Sequence, residues 1–293
     1  MRRIASLVSC AALVGAAMVG FTTPATAKTT AASGIQTSPY VALGDIYSSA
    51  AGVNPLVATA PPACSRSQLN YARNIVAVTL PQTFTDVTCS GATTSDFFSS
   101  QTAGVAPQLD AVDKSTRLVT MTIGGNDEGV FVDSFFGCTL VAPGQVFGNP
   151  CQQKFGSTFT DLIENKTYPN LVRALSAARA KAPKATIAIL GYPQILPPVG
   201  DPLCYPAVPI SIGDVPWLVN QQMVLNDAVR RAAAATGALY VDTFAPSAGR
   251  DACAPVGTRW MEPVSTPINA VPLHPNATGE AAMAQATLAA IGR

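Results

Sequence analysis

Five apolar segments, separated by stretches of helical pattern, constrain the fold of this chain more than any other feature. They are "PYVALGD" (39 to 45), "TFTDVTC" (83 to 89), "RLVTMTIGG" (117 to 125), "ATIAILGYP" (185 to 193) and "ALYVDTF" (238 to 244). Several are continuous rather than alternating, as expected for strands covered on both faces of a parallel sheet. "WLVNQQMVLNDAVRRAAAATG" places Leu218, Leu225, Val229 and Ala232 on one helical face and stops at Gly237. "TYPNLVRALSAARAKAP" is a second such helix, and a last one follows Asn276, a good N-cap. Strands alternating with helices predict an α/β fold, a flavodoxin-like three-layer α/β/α sandwich on a five-stranded, mostly parallel sheet. Ligands then bind at the carboxyl ends of the strands. Residues 138 to 160 and 194 to 214 break the alternation with Gly, Pro and Cys, and read as long loops over that face.

The N-terminus bounds the compartment. Arg2 and Arg3 precede an apolar run that ends in Ala25-Thr26-Ala27, the pattern of a secretory signal peptide over residues 1–27, with a mature start at Lys28. Residues 28–38 are small and polar and read as a flexible lead-in to a single domain over 39–293. The apolar run is too short and too rich in Ala and Gly for a stable membrane anchor, and Cys10 comes too early to be lipidated. The six remaining cysteines, Cys64, Cys89, Cys138, Cys151, Cys204 and Cys253, suggest three disulfides in an exported chain, although their number alone allows 15 pairings. With no CxxC pair and one histidine, neither a metal nor a cofactor is expected. A formal charge of +1 gives no field that favours nucleic acid.

The predicted strand ends place three loops together: Gly44-Asp45-Ile46, Cys89-Ser90-Gly91 and Gly124-Gly125-Asn126-Asp127. The single histidine, His274, lies in "PLHPNATGE", just before the last helix. A histidine base, backbone N–H groups at glycines and an amide side chain are the parts that acyl transfer requires.

The ordered blocks GDxYSS, CSGA, GGND and HPN, spread over roughly residues 38 to 292, resemble the SGNH hydrolases, or GDSL lipases and esterases. The likeness is to their secreted, disulfide-bonded actinobacterial branch. The resemblance implies a secreted, monomeric carboxylic ester hydrolase acting on a small-molecule ester or lipid. Carried over position by position, it makes His274 the general base, with Gly91 and Asn126 as oxyanion donors and Asp45 supporting the loop. The Val271 carbonyl orients the imidazole where many relatives use an aspartate, and Asp242 is a rival orienter. It also implies the pairs Cys64–Cys89, Cys138–Cys151 and Cys204–Cys253.

One position departs decisively. The family serine belongs where this chain has Ile46, and an isoleucine has no lone pair with which to attack an ester. Ser48 and Ser49 fall two and three positions further along a turn entering a helix, which points them away from the site. Two lesser departures flank it: Ala50 where the branch usually has glycine, and Glu128 after GGND, where a carboxylate would oppose an oxyanion. The sequence therefore predicts a strongly impaired esterase. The alternative is a secreted lipid- or glycan-binding protein that uses the same cleft without turnover.

Overall fold

A computed structural model describes residues 36–293. The expected signal peptide and most of the lead-in lie outside the described residues. Five strands form one parallel sheet in the order β2-β1-β3-β4-β5: β1 Tyr40–Ala42, β2 Phe84–Asp86, β3 Leu118–Met121, β4 Thr186–Leu190 and β5 Leu239–Val241. Each lies inside one of the five apolar segments. Every residue of β1 and β3 is buried, as continuous apolar runs require. Strand β2 is half exposed and forms one edge of the sheet, with no strand beyond it among the described residues.

The step from β1 to β2 runs opposite to the steps from β3 to β5. Right-handed crossovers therefore put the intervening helices on opposite faces. Helix α2 (Tyr71–Thr79), preceded by the single turn α1 (Ile46–Ser49), follows β1 and packs against the last helix, α8 (Ala277–Ala290). Helices α6 (Tyr168–Lys181) and α7 (Val215–Thr236) pack together as the other layer. The direction of winding reverses between β1 and β3, the switch point at which open α/β sheets hold their ligands.

The stretch expected as a loop at 138 to 160 is helical instead, carrying α3 (Gly137–Val141), α4 (Pro150–Phe155) and α5 (Thr158–Leu162). Its Gly and Pro punctuate helices rather than prevent them. Pro150 opens α4, where a missing N–H costs nothing, and Gly156 closes it at φ 53°. Residues 194 to 214 do form an irregular loop. Disulfides join Cys64–Cys89, Cys138–Cys151 and Cys204–Cys253, the pairs that the resemblance implies. The last of them ties the 194 to 214 loop to the segment after β5.

Candidate active site

The turn after β1 is built from buried polar contacts. Asp45 caps α1 by accepting from the Tyr47 N–H at 3.0 Å, and its carboxylate also accepts from Thr122 Oγ1 and the Tyr192 hydroxyl, both at 2.6 Å. Among the described residues no cation pairs with it, and burial pushes its pKa up to about 6, against the opposing pull of those three donors. Gly44 runs at φ 127°, where a side chain would collide with Ser48 and the Thr122 carbonyl. The Gln108 amide holds this glycine twice, accepting from its N–H at 2.6 Å and donating to its carbonyl at 3.0 Å.

Ile46 sits at the tip of this turn, half-buried. Ser48 is fully buried and committed: its Oγ accepts from the Thr122 N–H at 2.8 Å and bonds Thr122 Oγ1 at 2.7 Å. Ser49, also buried, donates back to the Ile46 carbonyl at 3.3 Å. Neither hydroxyl lines the cleft that Ile46 lines.

The loops after β2 and β3 are clamped to each other. Asn126 donates from Nδ2 to the Ala92 carbonyl at 3.0 Å, and the Asp127 carboxylate accepts from the Thr94 N–H and Oγ1 at 2.8 and 2.6 Å. Burial lifts the Asp127 pKa to about 6, although the Thr94 donors resist. Gly125 allows close packing, since a Cβ there would meet the Phe131 ring at 2.6 Å, and its N–H donates to the Tyr192 hydroxyl at 2.8 Å. Gly91 adopts φ 75° and is exposed. The preceding Ser90 is held on both sides, its N–H by the Cys64 carbonyl and its carbonyl by Gln101 Nε2.

His274 approaches from the loop before α8. Its orienting acceptor is the Pro272 carbonyl, 2.7 Å from Nδ1, and not that of Val271. The Val271 carbonyl instead accepts the His274 backbone N–H at 3.3 Å, which leaves the next carbonyl for the ring. A carbonyl can only accept, so Nδ1 carries the proton and Nε2 is the basic nitrogen. Burial lowers the imidazole pKa to about 4, and the Pro272 bond offsets only part of that fall. Asp242 is spent elsewhere, accepting from the N–H groups of Phe244 and Ala245 on an exposed turn.

Ile46, Gly91, Asn126, Val271 and His274 line one cleft of about 280 Å³, completed by Phe131, Val132, Phe136 and Pro272. Asp45 supports this cleft from beneath without lining it. Glu128, at φ 54°, does not line it either but lines an adjoining groove. Gln108 gives no signal of its own in the sequence, whereas Tyr47 belongs to the GDxYSS block and Tyr192 to the fourth apolar segment. Tyr47 donates from its hydroxyl to the Leu273 carbonyl at 2.8 Å and stacks on the His274 ring at 4.7 Å, joining two sides of the site that lie 226 residues apart.

The four motif blocks of the SGNH hydrolases, at Ile46, Gly91, Asn126 and His274, therefore converge on one cleft at the switch point of a parallel sheet. A sequence model of the GDSL-like Lipase/Acylhydrolase family matches residues 42–282, and the chain belongs to that family. It is 46% identical over 295 residues to Lipase 2 of Streptomyces coelicolor, an alignment covering 100% of this chain and 98% of that protein. Among solved structures it is similar to phospholipase A1 from Streptomyces albidoflavus (31% identity, TM-score 0.71, 86% of this chain and 97% of that one). It is also similar to an extracellular lipase from Streptomyces rimosus (28% identity, TM-score 0.73, 86% and 98%).

Proposed function

We propose that this protein is a carboxylic ester hydrolase in its build, a lipase or esterase whose turnover is blocked by one side chain, Ile46. The observation that carries this reading is the convergence of Gly91, Asn126 and His274 on the cleft that Ile46 lines. With a serine at position 46, His274 Nε2 would take the hydroxyl proton as the oxygen attacks the ester carbonyl. The Gly91 N–H and Asn126 Nδ2 would receive the oxyanion, and the same proton would leave on the departing alcohol. Water, activated in turn by His274, would release the acid. As written, no attacking oxygen exists at that place, and loss of a serine nucleophile costs about 10⁶ in turnover. What remains is slow attack by water on a bound ester.

The protein is, in this reading, a monomer exported after removal of residues 1–27, with a single hydrolase domain over 39–293. Its three disulfides support an oxidising compartment, as does its likeness to a lipase described as extracellular. A second reading, ligand binding without turnover, is favoured by the apolar lining of the cleft: Ile46, Phe131, Val132, Phe136 and Val271. Hydrolysis of p-nitrophenyl butyrate separates the two. The blocked-enzyme reading expects Ile46→Ser to gain several orders of magnitude over the parent, and it fails if the folded variant stays at the parent's rate.

A further inference from the structure

The His274 ring takes its orienting bond from the Pro272 carbonyl, so whatever fixes that carbonyl also fixes the base. Glu262, 3% exposed, holds the segment that carries it. Along the backbone, its N–H donates to the His274 carbonyl at 3.0 Å and its carbonyl accepts from the Leu273 N–H at 2.8 Å. Its side chain grips three further groups. Oε2 accepts from the Ile268 N–H at 3.0 Å, midway along the loop, and from Arg259 Nη2 at 2.6 Å. Oε1 accepts from Asn276 Nδ2 at 3.1 Å, and Asn276 in turn caps α8 through the Thr278 and Gly279 N–H groups. The stretch 263 to 272 is thereby closed at its two ends and pinned near its centre.

We infer that Glu262 is a positioning residue for His274: its carboxylate sets the 263 to 272 stretch, and through the Pro272 carbonyl the imidazole, against the cleft. It acts at a distance, since neither Glu262 nor Arg259 lines the cleft. A carboxylate suits this task because both of its oxygens must accept, one from an N–H and a guanidinium and the other from an amide. Burial alone would raise its pKa, but the Ile268, Asn276 and Arg259 donors together hold it below the ordinary carboxylate value, which keeps the accepting form in place. The inference rests on the ester-hydrolase reading for what the imidazole does, and on the hydrogen bonds alone for how it is held.

The first measurement uses the chain as it stands. Glu262→Gln keeps the shape of the side chain but accepts at one end only, which sets its amide against that of Asn276. The NMR midpoint of the His274 imidazole is expected to rise from about 4 toward 6.5, as a loosened loop lets water reach the ring. Loss of a neighbouring negative charge by itself would move the midpoint downward. The second measurement is catalytic. In the Ile46→Ser background, Glu262→Gln is expected to lower kcat on a short ester about 10²-fold with KM within about twofold, because the base is displaced while the binding walls stay. Asn276→Asp breaks the same contact from the other side and keeps the α8 cap, so it decides the matter if Glu262→Gln does not fold. Combining the two substitutions restores a donor–acceptor pair and is expected to recover part of the kcat and of the midpoint. A folded variant that loses stability yet keeps the midpoint near 4 and the kcat of its background overturns the assignment, leaving Glu262 merely structural. The two readings fail separately. If Ile46→Ser is inert toward every ester while the midpoint rises as expected, the hydrolase fails and the positioning role stands. If Ile46→Ser is active and neither readout responds to Glu262→Gln, the positioning role fails and the hydrolase stands.

Discussion

The turn after β1 and the loop that carries His274 meet across the cleft, and they are kept in place for different reasons. In the turn, Gly44, Asp45, Ser48, Thr122 and Gln108 are buried and hydrogen-bonded to one another. Removing the side chain of Asp45, Ser48, Thr122 or Gln108 would strand a buried partner at a cost of about 1–3 kcal/mol, and any side chain at Gly44 would collide with Ser48 and the Thr122 carbonyl, so folding alone preserves them. Only the tip, Ile46, is half-buried, packed at the margin of the core and in the wall of the cleft, with no side-chain hydrogen bond to lose. The histidine loop is held mainly through its backbone: the Leu273 carbonyl accepts from the Tyr47 hydroxyl, and Leu273 and His274 exchange bonds with Glu262. It holds Leu273 at φ 61°, a strained conformation for a residue with a Cβ, and it buries an imidazole far enough to lower its pKa to about 4. Folding gains nothing from either feature. An intact nucleophile turn is therefore weak testimony to catalysis, whereas a desolvated histidine that follows a strained Leu273 is strong testimony.

Three experiments sharpen this contrast. The largest effect belongs to the oxyanion side. In the Ile46→Ser background, Asn126→Ala should lower kcat by about 10²–10³, because the transition state loses a donor that the ground state hardly uses. A steady-state comparison on one short ester checks it, and an unchanged kcat would return Asn126 to a purely structural role as the clamp on Ala92.

The histidine loop is next. As the single histidine of the chain, His274 gives one imidazole titration in the NMR spectrum, expected near pH 4 rather than near the ordinary 6.5. The sign for stability follows from the depressed value. The folded state resists the proton that the unfolded chain accepts, so stability is lost as pH falls from about 6.5 toward 4. His274→Gln should remove that loss, worth about 3 kcal/mol, as measured by urea unfolding at several pH values. A midpoint near 6.5 would mean that the ring is solvated and that the loop is not strained toward a catalytic pose.

The smallest effect concerns the far end of the turn. Ala50 sits at φ 56° and ψ 50°, a left-handed position that glycine occupies without penalty. Ala50→Gly should raise stability by up to about 1 kcal/mol in thermal unfolding, with no change in the cleft. Destabilisation would show that the Ala50 methyl, 2% exposed, packs better than its backbone is strained.

Much of this was legible in the sequence because it is local. Continuous apolar runs gave the five strands, Asn276 and Gly237 marked helix ends, and the four motif blocks fell at strand ends or just before the last helix. The pieces that were not legible depend on contacts across the chain. The preference of the His274 ring for the Pro272 carbonyl depends on a backbone bond that occupies Val271. The link from Tyr47 to Leu273 has no sequence pattern, and neither does the amide of Gln108 that grips Gly44. The Gly and Pro residues of 138 to 160 looked like a loop because the same residues that break helices also begin and end short ones.

The central claim, that the site is assembled and lacks only its attacking atom, is tested most directly by covalent labelling with an organophosphate such as diethyl p-nitrophenyl phosphate. Intact-mass analysis should show a single diethylphosphoryl adduct on Ile46→Ser, mapped to position 46, and none on the parent or on Ile46→Ser/His274→Ala. No adduct on folded Ile46→Ser, or equal labelling without His274, would contradict the claim.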